Sequence, residues 1–365
     1  MIRVRAWPER SDLYLAPALA RVITRERWDL VHCQGYHTFV PPLAMVSALH
    51  TSVPYVLSFH SGGHSSRIRH ALRGVQTVLL RPLAVRAASL VAVSRFEASL
   101  FGRRLRLPPD RIRVIPNGAD PGLSRPTARA SSNLIVSVGR LERYKGHQHA
   151  IRALPHVLGT LPDARLVVVG TGPYEHRLRA LEHELGVADR VTHLTFPSRQ
   201  RQAMADLIAS ASVVVLFSEY EAYSVAALEA AALERQVVAF NHTGLAEAIE
   251  AGFATGVAPR ASATEIAAAI IEALRSPRAH ASAEVPTWDD CAAALSTLYW
   301  DILSPASEHV RRERAPENVH DSMGGGSGEK GIGSRHQVAE SEPQNTSDRH
   351  SDRGVAKKHR GVQES

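Results

Sequence analysis

The stretch NLIVSVGRLERYKGHQHAI, residues 133 to 151, gives the clearest indication of the fold. An apolar run rich in β-branched residues ends at Gly139, and a segment with helical periodicity starts a few residues later. A strand followed by a glycine-containing loop and an amphipathic helix is the repeating unit of a parallel sheet that is covered by helices. This stretch therefore predicts an α/β protein.

The same alternation of apolar runs and amphipathic segments occurs along most of the chain. The predicted strands cover residues 29–34, 54–60, 89–94, 112–118, 133–139, 164–172, 191–196, 211–218 and 236–240. Helices are predicted near residues 146–160, 174–185 and 224–234, with further helices to about residue 303. Two doubly wound, Rossmann-like units joined near residues 116–122 are the simplest account of this order. The predicted domains are residues 1–120 and residues 121–304, and the second includes the terminal helices.

The end of the chain has a different composition. Residues 305–365 include the run GGGSGEKGIGS and contain very few large apolar residues. Such a segment buries too little apolar surface to offset the entropy that is lost on ordering. It is predicted to be a disordered tail.

Composition limits the class of protein. With 365 residues and 44% hydrophobic content, the chain is long enough to form two domains with their own cores. Cys33 and Cys291 are far apart and match neither a disulfide framework nor a metal-ligand cluster, which suits a reducing compartment. No apolar run reaches the length of a membrane span, and the first residues lack the apolar core of a signal peptide. We expect a cytoplasmic protein.

The net charge of +7 comes from an excess of arginine in the first 120 residues. Clusters occur at Arg67, Arg69 and Arg73, and at Arg103, Arg104 and Arg106. The arginines are interpreted either as a solvated face or as a surface that attracts an anionic membrane or an anionic substrate, which would place the protein at the inner face of the membrane. Nucleic acid is not favoured as a partner, because no recognised binding motif accompanies the charge.

Two cations follow the strand that ends at Gly139. Arg140 comes directly after it, and Lys145 follows five residues later. Ligands of open parallel sheets bind beyond the carboxyl ends of the strands, so these cations are placed to bind a diphosphate, although they are equally explained as ordinary loop charges. Gly170 and Gly172 follow the next strand and would let the backbone approach a ligand, but a tight turn explains them too.

The segment SEYEAYSVAALEAAA, residues 218–232, follows another strand and places two carboxylates eight positions apart. Ser224 is predicted to cap a helix that begins at Val225, whose free amides and dipole would face the same crevice. Glu229 would then bind a diol such as ribose, and Glu221 another part of the same ligand. The alternative is that both are solvated charges on a surface helix.

A histidine ends a predicted strand in the first half. His60 lies in SFHSGGHSS, where Gly62 and Gly63 leave room for a ligand. A histidine at the end of a strand also occurs as a hydrogen-bonded structural residue. His64 and Ser65 are weaker candidates for the acceptor side of a site.

Together these segments resemble one known family. SEYEAYSVAALEA resembles the E-x7-E motif of retaining family 4 glycosyltransferases with the GT-B fold, and SVGRLERYKGHQHAIRAL resembles their donor-phosphate segment. IPNGAD, FHSGGHSS and TWDDCAAALSTLYWDI extend the resemblance over roughly residues 10–303.

The resemblance implies a GT-B fold, in which two Rossmann-like domains face a cleft, and transfer of a sugar from a nucleotide-diphosphate sugar with retention and without a metal or other cofactor. It implies that Glu229 binds ribose, Arg140 and Lys145 bind the diphosphate, and Glu221 and His60 face the donor sugar as catalytic residues. The remaining predicted donor-binding residues are Gly139, Gly170, Gly172, Tyr223, Ser224 and Val225. The acceptor is an unspecified saccharide, lipid or small molecule.

The sequence departs from the family pattern at its start. Members begin with a strand, a glycine-rich loop, a helix and a second strand, for which the residues before the region near Arg5 leave no room. The N-terminal domain is therefore expected to be incomplete. An inactive relative that binds a nucleotide sugar or a partner without catalysis stays open as the alternative to an enzyme. A GT-B-like epimerase and a glycosidase fit the motifs less well, since they would not need both the E-x7-E pattern and the cations.

Overall fold

The computed structural model describes residues 1–8, 14–62, 76, 78–120, 133–275 and 284–304. The described residues all belong to one compact unit, and residues 305–365 lie outside the described parts. The predicted tail, Gly63, His64, Ser65 and the cluster at Arg67, Arg69 and Arg73 also lie outside the described residues.

The first parallel sheet is built from β1 (Val31–Gln34), β2 (Tyr55–Ser58), β3 (Ser89–Ala92) and β4 (Ile112–Val114), in that order across the sheet. Every residue of β2 and β3 is buried, because helices cover both faces of these central strands. In the register, Leu57 lies opposite Leu90, which in turn lies opposite Ile112. We call this sheet, with its helices up to residue 120, the first lobe.

The helices of the first lobe are α1 (Ala18–Arg25), α2 (Val40–His50), α3 (Arg81–Ala84) and α4 (Arg95–Leu105). Helix α4 begins after Ser94, whose hydroxyl accepts a hydrogen bond from the backbone N–H of Glu97. Its first turn lies just beyond the carboxyl end of β3, so it reaches the edge of the sheet where a ligand would bind.

The second parallel sheet has six strands: β5 (Leu134–Val138), β6 (Arg165–Val169), β7 (Val191–Leu194), β8 (Val213–Leu216), β9 (Gln236–Phe240) and β10 (Thr255–Val257). Their order is β10-β9-β8-β5-β6-β7, so the chain moves outward from β5 in one direction and then returns to its other side at β8. The crevice between β5 and β8 is therefore the topological switch point, where open α/β sheets bind ligands.

The helices after the first lobe are α5 (His147–Leu158), α6 (Glu175–Glu184), α7 (Arg201–Ser210), α8 (Val225–Ala232), α9 (Gly244–Glu250), α10 (Ala263–Arg275) and α11 (Trp288–Leu303). Those up to α10 cover both faces of the second sheet and form two apolar cores with it. We call residues 133–275 the second lobe.

The terminal helix α11 packs on the first sheet. Its Leu298 and Ile302 share a buried cluster with Val56 of β2 and Val91 of β3. The sequence pattern assigned this helix to the second domain because it follows that domain in the chain. Packing of its apolar face decides otherwise, so the chain crosses back to the first lobe at its end.

The observed strands are shorter than the predicted ones. The fourth strand ends at Val114 rather than at residue 118, and β6 ends at Val169 rather than at residue 172. The apolar and glycine-rich pattern continues past the last hydrogen bond between strands. Periodicity in the sequence does not show where that hydrogen bonding stops, so the predicted strands are too long.

Candidate active site

The loops that follow β5 and β8 are packed against each other. Gly146 has a φ of 79°, and a Cβ atom at this position would lie 1.8 Å from the carbonyl oxygen of Phe217. The backbone N–H of Glu219 donates to the carbonyl of Tyr144 at 2.6 Å. Glycine is therefore required at residue 146, and its absence of a side chain brings Lys145 against the loop of residues 218–224.

Lys145 and Glu221 form an ion pair at this contact. The Nζ atom of Lys145 lies 2.7 Å from Oε2 of Glu221, and the two side chains are only 18% and 17% exposed. The backbone of Glu221 is fixed on its other side, since its N–H donates to the hydroxyl of Thr243 and its carbonyl accepts from the N–H of Gly244. Two predicted site residues, 76 positions apart in the sequence, are thus adjacent.

Arg140 begins the same loop as Lys145. Its side chain is exposed, and its Nη2 atom donates to the hydroxyl of Tyr144 at 2.7 Å. Its carbonyl lies 3.2 Å from Nε2 of His147, whose Nδ1 lies 2.8 Å from the hydroxyl of Ser137. Burial is the main cause that lowers the pKa of His147 to about 4, so a neutral imidazole holds this loop. His147 was not among the predicted residues.

The predicted glycines bring neighbouring loops together. Gly139 ends the β5 segment with a φ of 152°, and a Cβ atom on Gly170 would lie 1.9 Å from its carbonyl oxygen. Gly172 is similarly close to the backbone of Leu141. The structure thus gives these glycines a packing role beside the crevice, and their contact with a ligand stays a prediction.

The predicted helix cap is present. The hydroxyl of Ser224 accepts from the N–H of Ala227 at 3.3 Å, and α8 begins at Val225. Tyr223 is half-buried before the cap, and burial is the main cause that raises its pKa to about 12, so its hydroxyl keeps its proton at neutral pH. Glu221, the partner of Lys145, lies three residues before this cap, so the positive end of the α8 dipole closely follows the ion pair along the chain.

Glu229 lies on the first turns of α8 and is 8% exposed. Burial raises the pKa of Glu229; Arg201 opposes this shift, and Asp120 adds to it. The guanidinium Nη2 of Arg201 lies 3.8 Å from a carboxylate oxygen of Glu229 and also 3.8 Å from one of Asp120. Arg201, at the start of α7, was not predicted; its only signal in the sequence is the basic run SRQR before a helix.

His60 follows β2 at the carboxyl end of the first sheet. It has a φ of 41°, and its carbonyl lies 3.2 Å from Nε2 of His37. Burial lowers the pKa of His60, and the Glu97 carboxylate acts against that shift. The next residue, Ser61, lies 2.7 Å from the hydroxyl of Tyr220, which precedes Glu221. His60 of the first lobe and Glu221 of the second therefore each lie one residue away from the contact between Ser61 and Tyr220.

A second histidine lies near His60. His32 is hydrogen-bonded through Nε2 to the hydroxyl of Ser58 at 2.8 Å and through Nδ1 to the hydroxyl of Tyr299 at 2.5 Å. Burial is the main cause that lowers its pKa to about 4, and repulsion from a protonated His60 is a smaller cause. Because Tyr299 belongs to α11 and His32 to β1, this contact joins the terminal helix to the first sheet.

Within the described parts of the chain, no three or more His, Cys, Asp or Glu side chains are grouped as a metal site would require. In the same residues, no helix is long and apolar enough to cross a membrane.

The two sheets and the site between them define the class of protein. Anabaena Alr3699/HepE, whose crystal structure is in complex with UDP and glucose, superposes on this chain with a TM-score of 0.60 at 21% identity. The superposition covers 82% of this chain and 81% of that one. The fold is that of the GT-B glycosyltransferases.

Sequence comparison identifies the family. The family described as Glycosyltransferase Family 4 matches residues 2–123, and the one described as Glycosyl transferases group 1 matches residues 124–285. A glycogen synthase of Mycobacterium tuberculosis is 32% identical over 329 residues, which cover 83% of this chain and 76% of that protein. An uncharacterized glycosyltransferase of Methanocaldococcus jannaschii is 30% identical over 249 residues, or 62% of this chain and 60% of that protein. The chain belongs to glycosyltransferase family 4, a family of transferases, as the E-x7-E pattern predicted.

Proposed function

We propose that this protein transfers a sugar from a nucleotide-diphosphate sugar to the hydroxyl group of an acceptor, with retention at the anomeric carbon. One observation carries the proposal: Lys145 and Glu221 form an ion pair between the loops that follow the neighbouring strands β5 and β8, and the second loop leads directly into α8, which carries Glu229. A cation, a helix N-terminus and two acids at a switch point suit a ligand with a diphosphate between two polyhydroxylated groups.

In the proposed complex, the donor diphosphate binds between Lys145, Arg140 and the free amides at the start of α8. Lys145 forms an ion pair with Glu221, so on binding the donor the lysine would exchange that partner for phosphate oxygens while Glu221 turns to the sugar hydroxyls. Glu229, buried and balanced by Arg201, would accept hydrogen bonds from the ribose diol. The match between these groups and the parts of a nucleotide sugar supports this arrangement.

The reaction requires stabilisation of a departing diphosphate. The bond between the anomeric carbon and the phosphate oxygen breaks, and its electron pair leaves with the nucleoside diphosphate. The acceptor oxygen forms the new bond on the same face of the sugar, and its proton passes to the departing phosphate. Two cations and a helix dipole stabilise the growing negative charge, while a neutral His60 and the Glu221 carboxylate face the sugar. In this proposal no metal is needed for that step.

Binding and turnover test the proposal separately. Isothermal titration calorimetry with UDP, GDP and ADP measures the donor site, and release of nucleoside diphosphate from the matching nucleotide sugars measures catalysis. Glu229→Gln is expected to lower the nucleotide affinity about tenfold or more, since a charged hydrogen-bond acceptor is lost. Glu272→Gln, an exposed change on α10, is the matched control.

The outcomes distinguish the two alternatives. Binding with turnover supports the transferase. Binding without turnover on any donor would favour an inactive relative that holds a nucleotide sugar. An unchanged affinity in Glu229→Gln would contradict the donor-site assignment in both versions.

The basic first lobe supports a second proposal about partners, namely contact with an anionic membrane surface. Exposed Arg103 and Arg106 carry the charge, and Phe39, Val46 and Leu49 expose an apolar stripe along α2. Cosedimentation with vesicles containing anionic lipid should exceed that with neutral vesicles and should decrease with salt. Equal sedimentation would indicate an ordinary solvated face.

A further inference from the structure

We propose that Tyr220 is a positioning residue: its hydroxyl, through Ser61 and Glu97, holds the His60 loop of the first lobe against the Glu221 loop of the second. The inference rests on the proposed function, because it concerns the geometry of the sugar-facing side of that site. It adds three residues to the site that neither the motifs nor the family matches assign.

Glu97 is the fixed end of this connection. It belongs to the first turn of α4 and is fully buried. Its Oε2 atom accepts from the backbone N–H of Val93 at 2.9 Å. Its Oε1 atom accepts from the backbone N–H of Ser61 at 2.6 Å and from the Ser61 hydroxyl at 2.5 Å. A buried carboxylate with three donors has little freedom to move, so Ser61 is held rigidly.

Ser61 passes this constraint to the other lobe. Its single hydroxyl hydrogen is donated to Glu97, so the same oxygen accepts from the phenol of Tyr220, 2.7 Å away. Ser61 is buried, and Tyr220 is half-buried. A hydrogen bond of this kind has a narrow range of length and angle, and it therefore fixes the separation of the two loops.

The neighbours of this hydrogen bond are the proposed sugar-facing residues. His60 directly precedes Ser61, and its left-handed φ of 41° is a conformation that needs external support in a residue with a side chain. Glu221 directly follows Tyr220 and is fixed at its own backbone by Thr243 and Gly244. A change in the Tyr220–Ser61 distance would move His60 relative to Glu221.

Other contacts keep the lobes together without this hydroxyl. The Glu247 carboxylate of α9 accepts from the backbone N–H groups of Arg95 and Phe96, at 3.0 and 2.6 Å. The rings of Phe96 and Tyr220 lie edge to face with centroids 5.7 Å apart. Tyr220→Phe keeps the ring contact and the Glu247 contacts, so it removes the hydroxyl connection alone.

The expected effect falls on turnover. A displacement of about 1 Å in a reacting group can lower a rate about 100-fold, so a partial loss of order should lower kcat about 10-fold to 100-fold. The donor KM and the UDP dissociation constant should change less than about twofold, because Lys145, Arg140 and Glu229 are untouched. Ser61→Ala breaks the same connection from the other side and should give a similar profile.

The test compares Tyr220→Phe, Ser61→Ala and the double variant, with Tyr14→Phe as a control that removes a phenol hydroxyl from an exposed tyrosine. Initial rates of nucleoside diphosphate release give kcat and KM, calorimetry gives the UDP affinity, and thermal melting checks the fold. A lower kcat at unchanged KM, with the double variant no slower than the slower single one, supports the inference. If one variant fails to fold, the other alone must show the split between kcat and KM.

Three results would overturn the inference. A wild-type kcat in the folded variants, losses that multiply in the double variant, or a parallel loss of UDP affinity would each refute a positioning role while the proposed function stands. A wild-type protein that neither binds nor turns over any nucleotide sugar would overturn the proposed function, and the inference with it.

Discussion

The two lobes contribute to the site in different ways. The second lobe places an ion pair and a helix cap on neighbouring loops of one sheet, with Glu229 on the helix that follows, and the lack of a side chain at Gly146 allows these loops to pack closely. The first lobe contributes a histidine whose position depends on a buried carboxylate and on a hydrogen bond to the other lobe. The proposed donor side is therefore largely built within the second lobe, whereas the proposed sugar-facing side depends on a contact between the two lobes.

Removing the cation of the second lobe should have the largest effect. We expect Lys145→Met to lower turnover about 100-fold, because in the proposed complex the leaving diphosphate loses a largely shielded positive charge. Rates of nucleoside diphosphate release measure this change. Arg143→Ala is the matched control, since its exposed ion pair with Glu219 lies outside the crevice and should change the rate less than about twofold.

The close contact at Gly146 should be the next most sensitive feature. Gly146→Ala combines backbone strain at a positive φ with a clash against Phe217, and we expect it to cost about 2 to 3 kcal/mol of unfolding free energy. Gly186 has a φ of 67° with no atom near its missing Cβ, so Gly186→Ala carries the strain without the clash and should cost about 1 kcal/mol. Equal losses in urea titrations would show that the clash is relieved and that the loops are not tightly packed.

The pH dependence of nucleotide binding tests the electrostatic surroundings of Glu229 in the second lobe. Because burial raises the pKa of Glu229, its carboxylate should protonate at a higher pH than an ordinary glutamate, so affinity should be full near neutral pH and fall as the pH decreases through that raised pKa. Arg201→Gln removes the cation that opposes the shift and should move the loss to still higher pH. Calorimetry between about pH 5 and pH 8 measures the nucleotide affinity of both proteins, because this range covers a carboxyl pKa that is raised above its ordinary value.

Calorimetric curves that coincide for wild type and Arg201→Gln would contradict the electrostatic contact between Arg201 and Glu229. A flat curve in Glu229→Gln would support the assignment of the pH dependence to this carboxyl group.

The smallest expected effect concerns the helix that returns to the first lobe. Thr287 and Asp290 form a capping box at the start of α11, and Thr287→Ala should cost about 1 kcal/mol of unfolding free energy. Thr297→Ala on the exposed side of the same helix is the control and should cost less. A loss no larger than that of the control would show that the cap does not stabilise the packing of α11.

The family and most strands were predictable because their signals are local. Apolar runs such as VVVL of β8 are continuous where a parallel strand is buried on both faces, and the spacing of Glu221 and Glu229 is a short-range pattern. The cap at Ser224 was predictable for the same reason, since capping involves residues three positions apart. The roles of the predicted donor and catalytic residues stay predictions.

The contacts that join distant segments were not predictable. Glu97 fits the pattern of an ordinary capping residue, S-x-x-E, yet its carboxylate binds Val93 and Ser61 rather than the cap. Arg201 carries no motif, and it comes within 3.8 Å of Glu229 only because the starts of α7 and α8 meet in the folded chain.

The α/β pattern, the family and the set of charged and small residues at the strand ends could all be read from the sequence, because each of these depends on residues close together in the chain. The pairing of Lys145 with Glu221, the return of α11 to the first sheet and the contact of Tyr220 with Ser61 across the lobes became known only from the folded chain. These contacts depend on the order of strands and the packing of helices, which bring together groups separated by many residues. Local sequence patterns carry no information about such distances.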